Sequence, residues 1–323
     1  MKVVTVGTSK ITSTNIAEMR MAGIEVFACV SRDLERARKF AEENNVAKYS
    51  NNYDTVLRSN EYDFVYIGLP NNLHYEYSKK ALQHGKNVIC EKPFCLNQKQ
   101  ARDLLSCALS NGVYIFENMK VYHSLAYKQL KKDIELIKPS KTVTLNFSRL
   151  SSVYDKFKYN LEQTALSLEH GSGALMDINC YNVSFVVGLF GLPLKCNYIA
   201  NKTNGVDTSG VAILNYDGFI ANLIAAKDSN GQNFVEICGE NGYIYSDVHS
   251  SRFDHYTINF NIGDKREVNY KENYPFVPMH TNFKSIYENH NAYKYDTLMK
   301  YTFMEMKVLD DLRASANILF KNN

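Results

Sequence analysis

The sequence predicts an α/β chain: an N-terminal doubly wound parallel sheet, then an α+β domain built on a large, mostly antiparallel, open-faced sheet. Three observations carry this. From residue 1 to about residue 118, short β-branched runs alternate with helical segments of about 10–15 residues. The alternation then stops, and residues 195–270 read as successive strands separated by turn dipeptides. With 323 residues, 45% of them apolar or aromatic, the chain suits two cores better than one.

The elements follow in order. Residues 2–6 (KVVTV) form a buried strand ending at Gly7. Ile11, Ile16 and Met19 repeat at helical spacing over 11–22, and Gly23 closes that helix. Residues 25–30 are the second strand, and Asp33 N-caps a helix over 34–44. A short helix at 53–59 precedes an apolar strand at 64–68, FVYIG. A helix at 74–84 stops at Gly85, and the strand 87–90 runs into Glu91-Lys92-Pro93. A helix at 97–111 stops at Gly112, and 114–117 is the last strand of the series. Such alternation makes right-handed βαβ units and a parallel sheet. Beyond Asn118 come a helix at 126–137, a strand at 141–149 and a helix at 173–189. Asn204-Gly205, Asp217-Gly218 and Asn241-Gly242 then mark the turns of an antiparallel meander. Helices at 278–289 and 293–320 close the chain. The change of pattern puts the domains at 1–118 and 119–323.

Charge is balanced, with 37 basic against 34 acidic residues and a net charge of +3, which gives no reason for a nucleic-acid or membrane partner. The seven cysteines lack any CxxC pair and are odd in number, so neither a disulfide framework nor a metal site is expected. Free thiols, the absence of a signal-like start and the absence of an apolar run of roughly 20 residues point to the cytoplasm.

The first strand ends in Gly7-Thr8-Ser9-Lys10-Ile11-Thr12. A dinucleotide-binding Rossmann fingerprint there reads GxGxxG or GxGxxA; Gly7 supplies the first glycine, while Ser9 and Thr12 take the places of the other two. Gly7 permits the tight turn, Ser9 is small enough for backbone to approach a pyrophosphate, and the helix starting at Lys10 and Ile11 offers N–H donors and a positive dipole end. The second strand ends in Ser31-Arg32-Asp33. An acid at that tip suits the ribose hydroxyls of NAD, whereas Arg32, with Arg36 one turn on, suits the 2′-phosphate of NADP. NADP is favoured, and Asp33, one place later, keeps NAD open. Lys92 follows a buried strand at the sheet edge where ligands bind in such folds.

The segments VGTSKI, VSRDLERARKFAEE, DFVYIGLPNNLHYEYSKKAL, GKNVICEKPFCLN and GSGALMDINCYNVSFVVGLFGLP together resemble the glucose–fructose oxidoreductase / inositol dehydrogenase / MocA family, in order along the whole chain. The Glu-Lys-Pro and Asp-x-x-x-Tyr elements are the most specific. The sequence is most similar to the dimeric dihydrodiol dehydrogenase / NADP xylose dehydrogenase branch, where a tyrosine replaces a histidine. The resemblance implies an NAD(P)-dependent oxidoreductase that moves a hydride between the nicotinamide and a sugar, polyol or related alcohol or carbonyl. It implies that Lys92, Asp177 and Tyr181 act on a substrate lying between the two domains. Asp177 and Tyr181, four apart, share a helix face. Tyr181 would move the hydroxyl proton. A phenol titrates near roughly 10 when unperturbed, so the Lys92 ammonium would help by favouring phenolate, and Asp177 would orient substrate hydroxyls or Lys92. Thr8, Leu69, Pro70, Asn71, His74 and Glu91 would join the cofactor contacts. The open sheet would pair subunits into a homodimer or homotetramer.

The departures are specific. Ser9 replaces the second glycine, Asn179 stands where relatives often have glycine, and the stretch from Asn118 to His123 lacks the Arg-Phe-x-Pro of the dihydrodiol branch. That stretch shapes the substrate pocket, so substrate identity does not transfer. Lys120, Tyr154, Asp155 and Lys156 are further pocket candidates. The degraded fingerprint leaves as an alternative a non-catalytic dinucleotide-sensing regulator of the same fold. A cofactor-recycling oxidoreductase, or a glycosidase using transient oxidation, is a third reading.

Overall fold

The computed structural model describes residues 1–159, 161 and 163–320. They fall into two compact units, Met1–Asn118 with Tyr274–Phe303, and Met119–Asn273 with Met304–Asn323.

The first unit alternates β1 (Lys2–Val6), α1 (Lys10–Met21), β2 (Glu25–Val30), α2 (Leu34–Glu43), β3 (Lys48–Ser50), α3 (Tyr53–Leu57), β4 (Phe64–Ile67), α4 (Asn71–Gln83), β5 (Asn87–Cys90), α5 (Gln98–Ser110) and β6 (Ile115–Glu117). The strands form one parallel sheet in the order β3-β2-β1-β4-β5-β6. Nearly every residue of β1, β4 and β5 is buried, as expected for strands covered on both faces. The strand order reverses between β1 and β4, the point where open α/β sheets leave a crevice for a ligand. Helix α4 starts at Asn71, so His74 lies inside its first turns rather than at its beginning.

The second unit opens with a 3-10 turn at Lys120–His123, then α6 (Leu125–Asp133), β7 (Ser140–Ser148) and α7 (Tyr154–Lys158). The helix expected over 173–189 is wound as a π-helix at Leu175–Asn179 before becoming α8 (Cys180–Phe190). Strands β8 (Lys195–Thr203), β9 (Val206–Tyr216), β10 (Phe219–Ala226), β11 (Phe234–Gly239), β12 (Gly242–Ser246), β13 (His255–Phe260) and β14 (Arg266–Asn269) complete an eight-stranded sheet ordered β14-β13-β12-β11-β7-β10-β9-β8. Its pairs are antiparallel except β7 with β10. One face buries Val143, Leu145, Ala221, Leu223, Val235, Ile237 and Ile244. On the other, Ile220, Tyr243 and Tyr245 are exposed.

Helices α9 (Val277–Glu288) and α10 (Ala292–Ser315) close the chain. The expected second domain ran unbroken from 119 to 323. Instead α9 and the first half of α10 group with the parallel sheet. The reason lies in contacts between segments far apart in sequence. Glu18 on α1 accepts the amides of Phe276 and Val277 at 2.6 and 3.1 Å, capping the start of α9. Phe283 stacks on Phe116 with centroids 4.5 Å apart, and Tyr287 meets Phe64 edge-on at 4.9 Å. Helix α10 stops at Ser315, short of the expected residue 320. Asn317 adopts φ +51° and Ile318 donates back to the Arg313 carbonyl at 3.0 Å, a left-handed helix stop.

Candidate active site

Every candidate cofactor residue lies at the C-terminal edge of the parallel sheet, in the loops after β1, β2, β4 and β5 or in the first turns of α1, α2 and α4. Gly7 sits at φ +110°, and a Cβ placed there would lie 2.2 Å from the Gly68 carbonyl oxygen. Only glycine fits this turn, so backbone from β1 and β4 meets side by side at the switch point. Thr8 follows in the loop, and Ser9 is the N-cap of α1: its hydroxyl accepts the Thr12 amide at 3.3 Å and pairs with the Thr12 hydroxyl at 2.9 Å. Thr12 in turn packs on Gly68, where a Cβ would come within 2.5 Å of its Oγ1. The two departures from the glycine fingerprint thus form one capped, close-packed turn. The amides of Lys10 and Ile11 in the first turn have no i−4 acceptor, which leaves donors suited to a pyrophosphate. These features fit a dinucleotide.

At the tip of β2, Ser31 is half-buried and Arg32 is exposed. The Asp33 carboxylate accepts the Arg36 amide at 2.7 Å and so caps α2. Arg36 is exposed in the first turn of that helix.

Leu69 and Pro70 follow β4, and Asn71 begins α4. His74 is fully buried, with Nδ1 2.9 Å from the Pro93 carbonyl and Nε2 2.8 Å from the Leu69 carbonyl. Its ring therefore ties together the loops after β4 and β5, with both nitrogens engaged by backbone. Burial lowers its pKa, and Lys92 lowers it further, against the pull of the two carbonyls. Glu91 is also turned inward. Its Oε1 accepts from the Tyr66 hydroxyl at 2.6 Å and the Asn118 amide at 2.5 Å, and its Oε2 from the Lys92 amide at 3.3 Å. Burial raises its pKa, and the hydrogen bonds from Tyr66 and Asn118, with Lys92, oppose that. Expected as cofactor contacts, His74 and Glu91 have their polar atoms committed to shaping the loops that carry Leu69 and Lys92. The Lys92–Pro93 peptide is cis.

In the second unit, residues 171–188 are buried except Asp177, Ile178 and Tyr181. This is one partly exposed stripe on a buried helix, and the π-turn lies within it, a feature frequent at functional sites. Asp177 and Tyr181 are therefore presented together. Asn179, at the position where a glycine was expected, donates to the Leu223 carbonyl at 3.1 Å and accepts from Asn182 at 2.8 Å. It ties the helix to β10. Asp155 pairs with Lys158 at 2.9 Å, and Tyr154 packs on Phe157.

Sequence reasoning missed several residues here. Lys227, just after β10, is buried and ion-pairs with Asp177. Asp207 on β9 accepts the Leu175 amide at 2.7 Å and the Tyr198 hydroxyl at 3.1 Å, anchoring the turn before Asp177. Burial pushes its pKa up to about 6. Gly173 makes room for it, since a Cβ there would lie 2.0 Å from Asp207 Oδ1. His249 stacks on Phe147 with centroids 3.9 Å apart, and Phe147 lies 6.2 Å from the Tyr181 ring. Burial, then Lys120, Arg252 and Arg149, lower the His249 pKa to about 4, so its ring is neutral at pH 7. Nothing in the local sequence around 207, 227 or 249 marks these residues; the sheet register brings them in.

Residues 1–119 match the family described as an oxidoreductase family with an NAD-binding Rossmann fold, and residues 148–245 match the GFO/IDH/MocA C-terminal domain. The chain belongs to this family and is an NAD(P)-dependent oxidoreductase. It is 39% identical over 232 residues to scyllo-inositol 2-dehydrogenase (NADP(+)) IolU of Bacillus subtilis (strain 168), covering 70% of each chain. It is 29% identical over 224 residues to trans-1,2-dihydrobenzene-1,2-diol dehydrogenase of Xenopus tropicalis, covering 68% of this chain and 66% of that one. Its fold is shared with KijD10, a 3-ketoreductase from Actinomadura kijaniata, at a TM-score of 0.84 and 21% identity over 98% of both chains. No helix among the described residues is long and apolar enough to cross a membrane.

Proposed function

We propose that the enzyme transfers a hydride between NADP and the carbinol or carbonyl carbon of a sugar or polyol. The similarity to an NADP-dependent inositol dehydrogenase supports the substrate class. The observation that carries the cofactor choice is at the β2 tip: Asp33 is committed to capping α2, while Arg32 and Arg36 are exposed there with no ion pair among the described residues. Two guanidinium groups at that position suit a 2′-phosphate.

The roles follow from the chemistry of each side chain. The nicotinamide, when bound, gives or takes the hydride. Tyr181 takes the hydroxyl proton during oxidation and returns it during reduction. Lys92 hydrogen-bonds the substrate oxygen. Asp177 accepts from substrate hydroxyls and fixes which carbon reacts. Gly7, Thr8, Ser9, Lys10 and Ile11 bind the pyrophosphate, Ser31, Arg32 and Arg36 the adenosine phosphate, and Leu69, Pro70 and Asn71 the nicotinamide side. His74 and Glu91 shape those loops. Free thiols at all seven cysteines suit a reducing, cytoplasmic setting. Exposed Ile220, Tyr243 and Tyr245 on the outer sheet face suit a homodimer or homotetramer, which sedimentation at micromolar protein would test.

Calorimetric titration with NADPH and NADH tests the cofactor, and a screen of sugars and polyols with NADP tests the reaction. Tight NADPH binding, weak NADH binding and NADPH production from a polyol are expected. Binding of neither nucleotide would overturn the reading.

A further inference from the structure

Lys227 is a cation held inside the second unit, with 4% of its surface exposed. An ammonium so deeply buried is costly unless its charge is matched and its protons are accepted. Here the charge is matched and two of the three protons are accepted. Its Nζ ion-pairs with Asp177 Oδ2 and donates to the Ala165 carbonyl at 2.6 Å. Its backbone amide donates to the Thr208 carbonyl at 2.7 Å, which fixes the stem of the side chain to the edge of β9. The carboxylate of Asp207 on the same strand is buried, and its charge interacts with that of Lys227. Asp177, by contrast, keeps about a third of its side chain open, at 32% exposure. One partner of the pair is therefore rooted in the sheet while the other reaches the exposed stripe that also carries Tyr181.

A carboxylate on a partly open helix face rotates freely unless something holds it. Here one holder is 50 residues away in sequence and supplied by the sheet. Asp207 strengthens the arrangement from behind, because it receives the Leu175 amide two residues before Asp177 and so fixes the π-turn from which Asp177 projects. Sheet and helix together set both the position and the direction of one carboxylate.

We propose that Lys227 is a positioning residue of the active site, one that locks Asp177 in the orientation needed to receive substrate hydroxyls. This rests on the reading of Asp177 as a substrate-orienting group. Lys227 itself touches neither substrate nor cofactor in this scheme.

The experiment is a double-mutant cycle on the full-length enzyme with Asp177→Asn, Lys227→Met and the two combined. It is read as kcat and KM for a polyol with NADP, with NADPH affinity as the check on folding. Lys227→Met should lower kcat at least tenfold while NADPH affinity is unchanged, and Lys227→Arg should recover most of the loss. In the Asp177→Asn background, Lys227→Met should change kcat by less than about twofold, because its partner is already gone. If Asp177→Asn turns over normally, the reading of Asp177 is wrong and the proposal goes with it. If Asp177→Asn is impaired but Lys227→Met is fully active, the positioning role alone is overturned. Should Lys227→Met fail to fold, the double variant, in which the charge of Asp177 is removed as well, is compared with Asp177→Asn. Equal kcat supports the proposal, and a further drop overturns it.

Discussion

The carboxylate of Asp33 accepts the backbone amide of Arg36 at 2.7 Å, which makes the acid at the β2 tip a helix cap. The position that reads the ribose in an NAD-specific site is then held by Ser31 and Arg32. Arg32→Ala should weaken NADPH binding by about 10- to 100-fold, the scale of a lost charge-assisted hydrogen bond, and leave NADH binding unchanged. Asp33→Ala should cost about 1 kcal/mol of stability through the lost cap with no change in the ratio of the two affinities. Selective loss of NADH binding in Asp33→Ala would show that Asp33 reads the ribose after all. Calorimetry and urea unfolding on the same samples decide it.

Tyr181 and Lys92 are expected to act on the reacting oxygen. Tyr181→Phe keeps the ring, including its 6.2 Å relation to Phe147, and removes only the hydroxyl. Turnover should fall by about a hundredfold or more, with NADPH affinity intact. Lys92→Ala should fall by a similar factor. A Tyr181→Phe enzyme of normal kcat would remove Tyr181 from the chemistry.

Gly7 and Gly23 both take positive φ, +110° and +71°, yet only Gly7 is crowded. Gly7→Ala would place a methyl 2.2 Å from the Gly68 carbonyl oxygen, whereas at Gly23 nothing lies within 4 Å. Gly23→Ala should cost roughly 1–2 kcal/mol, the backbone strain alone. Gly7→Ala should cost at least about 2–3 kcal/mol and abolish NADPH binding, because the β1 and β4 loops must separate. Equal urea midpoints for the two variants would mean that the switch-point contact is dispensable.

Much of this was legible in the sequence because it is local. Strands β1, β2, β4 and β5 announce themselves as apolar runs, and Asp33 reads as a cap from its place before an amphipathic helix. Asp177 and Tyr181 are read from the five-residue Asp-x-x-x-Tyr element that carries the family resemblance. What escaped was non-local. Glu18 capping α9 across 258 residues moved a whole helix to the other unit, and no window of sequence contains that bond. Lys227 and Asp207 look like ordinary strand-end residues until the register of β9 and β10 sets them behind Asp177. The π-turn at Leu175–Asn179 has no compositional mark, since a helix of either winding shows nearly the same periodicity. His74 and Glu91 are placed by position along the chain, and only the fold shows which partners their polar atoms take.

Glu117 gives the protein a pH dependence of a predictable sign. It ends β6 and is buried; its Oε1 accepts the Phe94 amide at 3.0 Å and its Oε2 the Thr302 hydroxyl at 2.8 Å. Burial pushes its pKa up to about 7, against the help of those two hydrogen bonds and of Lys92, while the nearby Glu91 charge adds to the rise. The folded state therefore holds a proton that the unfolded chain has already lost above its ordinary value of 4.5. The contribution to stability is complete below that value and disappears as pH rises through about 7. Asp207, pushed up to about 6, adds a slope of the same sign at lower pH. Glu117→Gln keeps an oxygen for the Phe94 amide and gives Thr302 a donor, yet carries no charge. At pH 8 it should stabilise the protein by on the order of 1–3 kcal/mol, and at pH 4 by almost nothing. Urea midpoints at the two pH values measure this difference directly. Parallel pH curves for the variant and the parent would mean that Glu117 is ionised in the fold at ordinary pH, and that the loop bearing Lys92 rests on a full carboxylate.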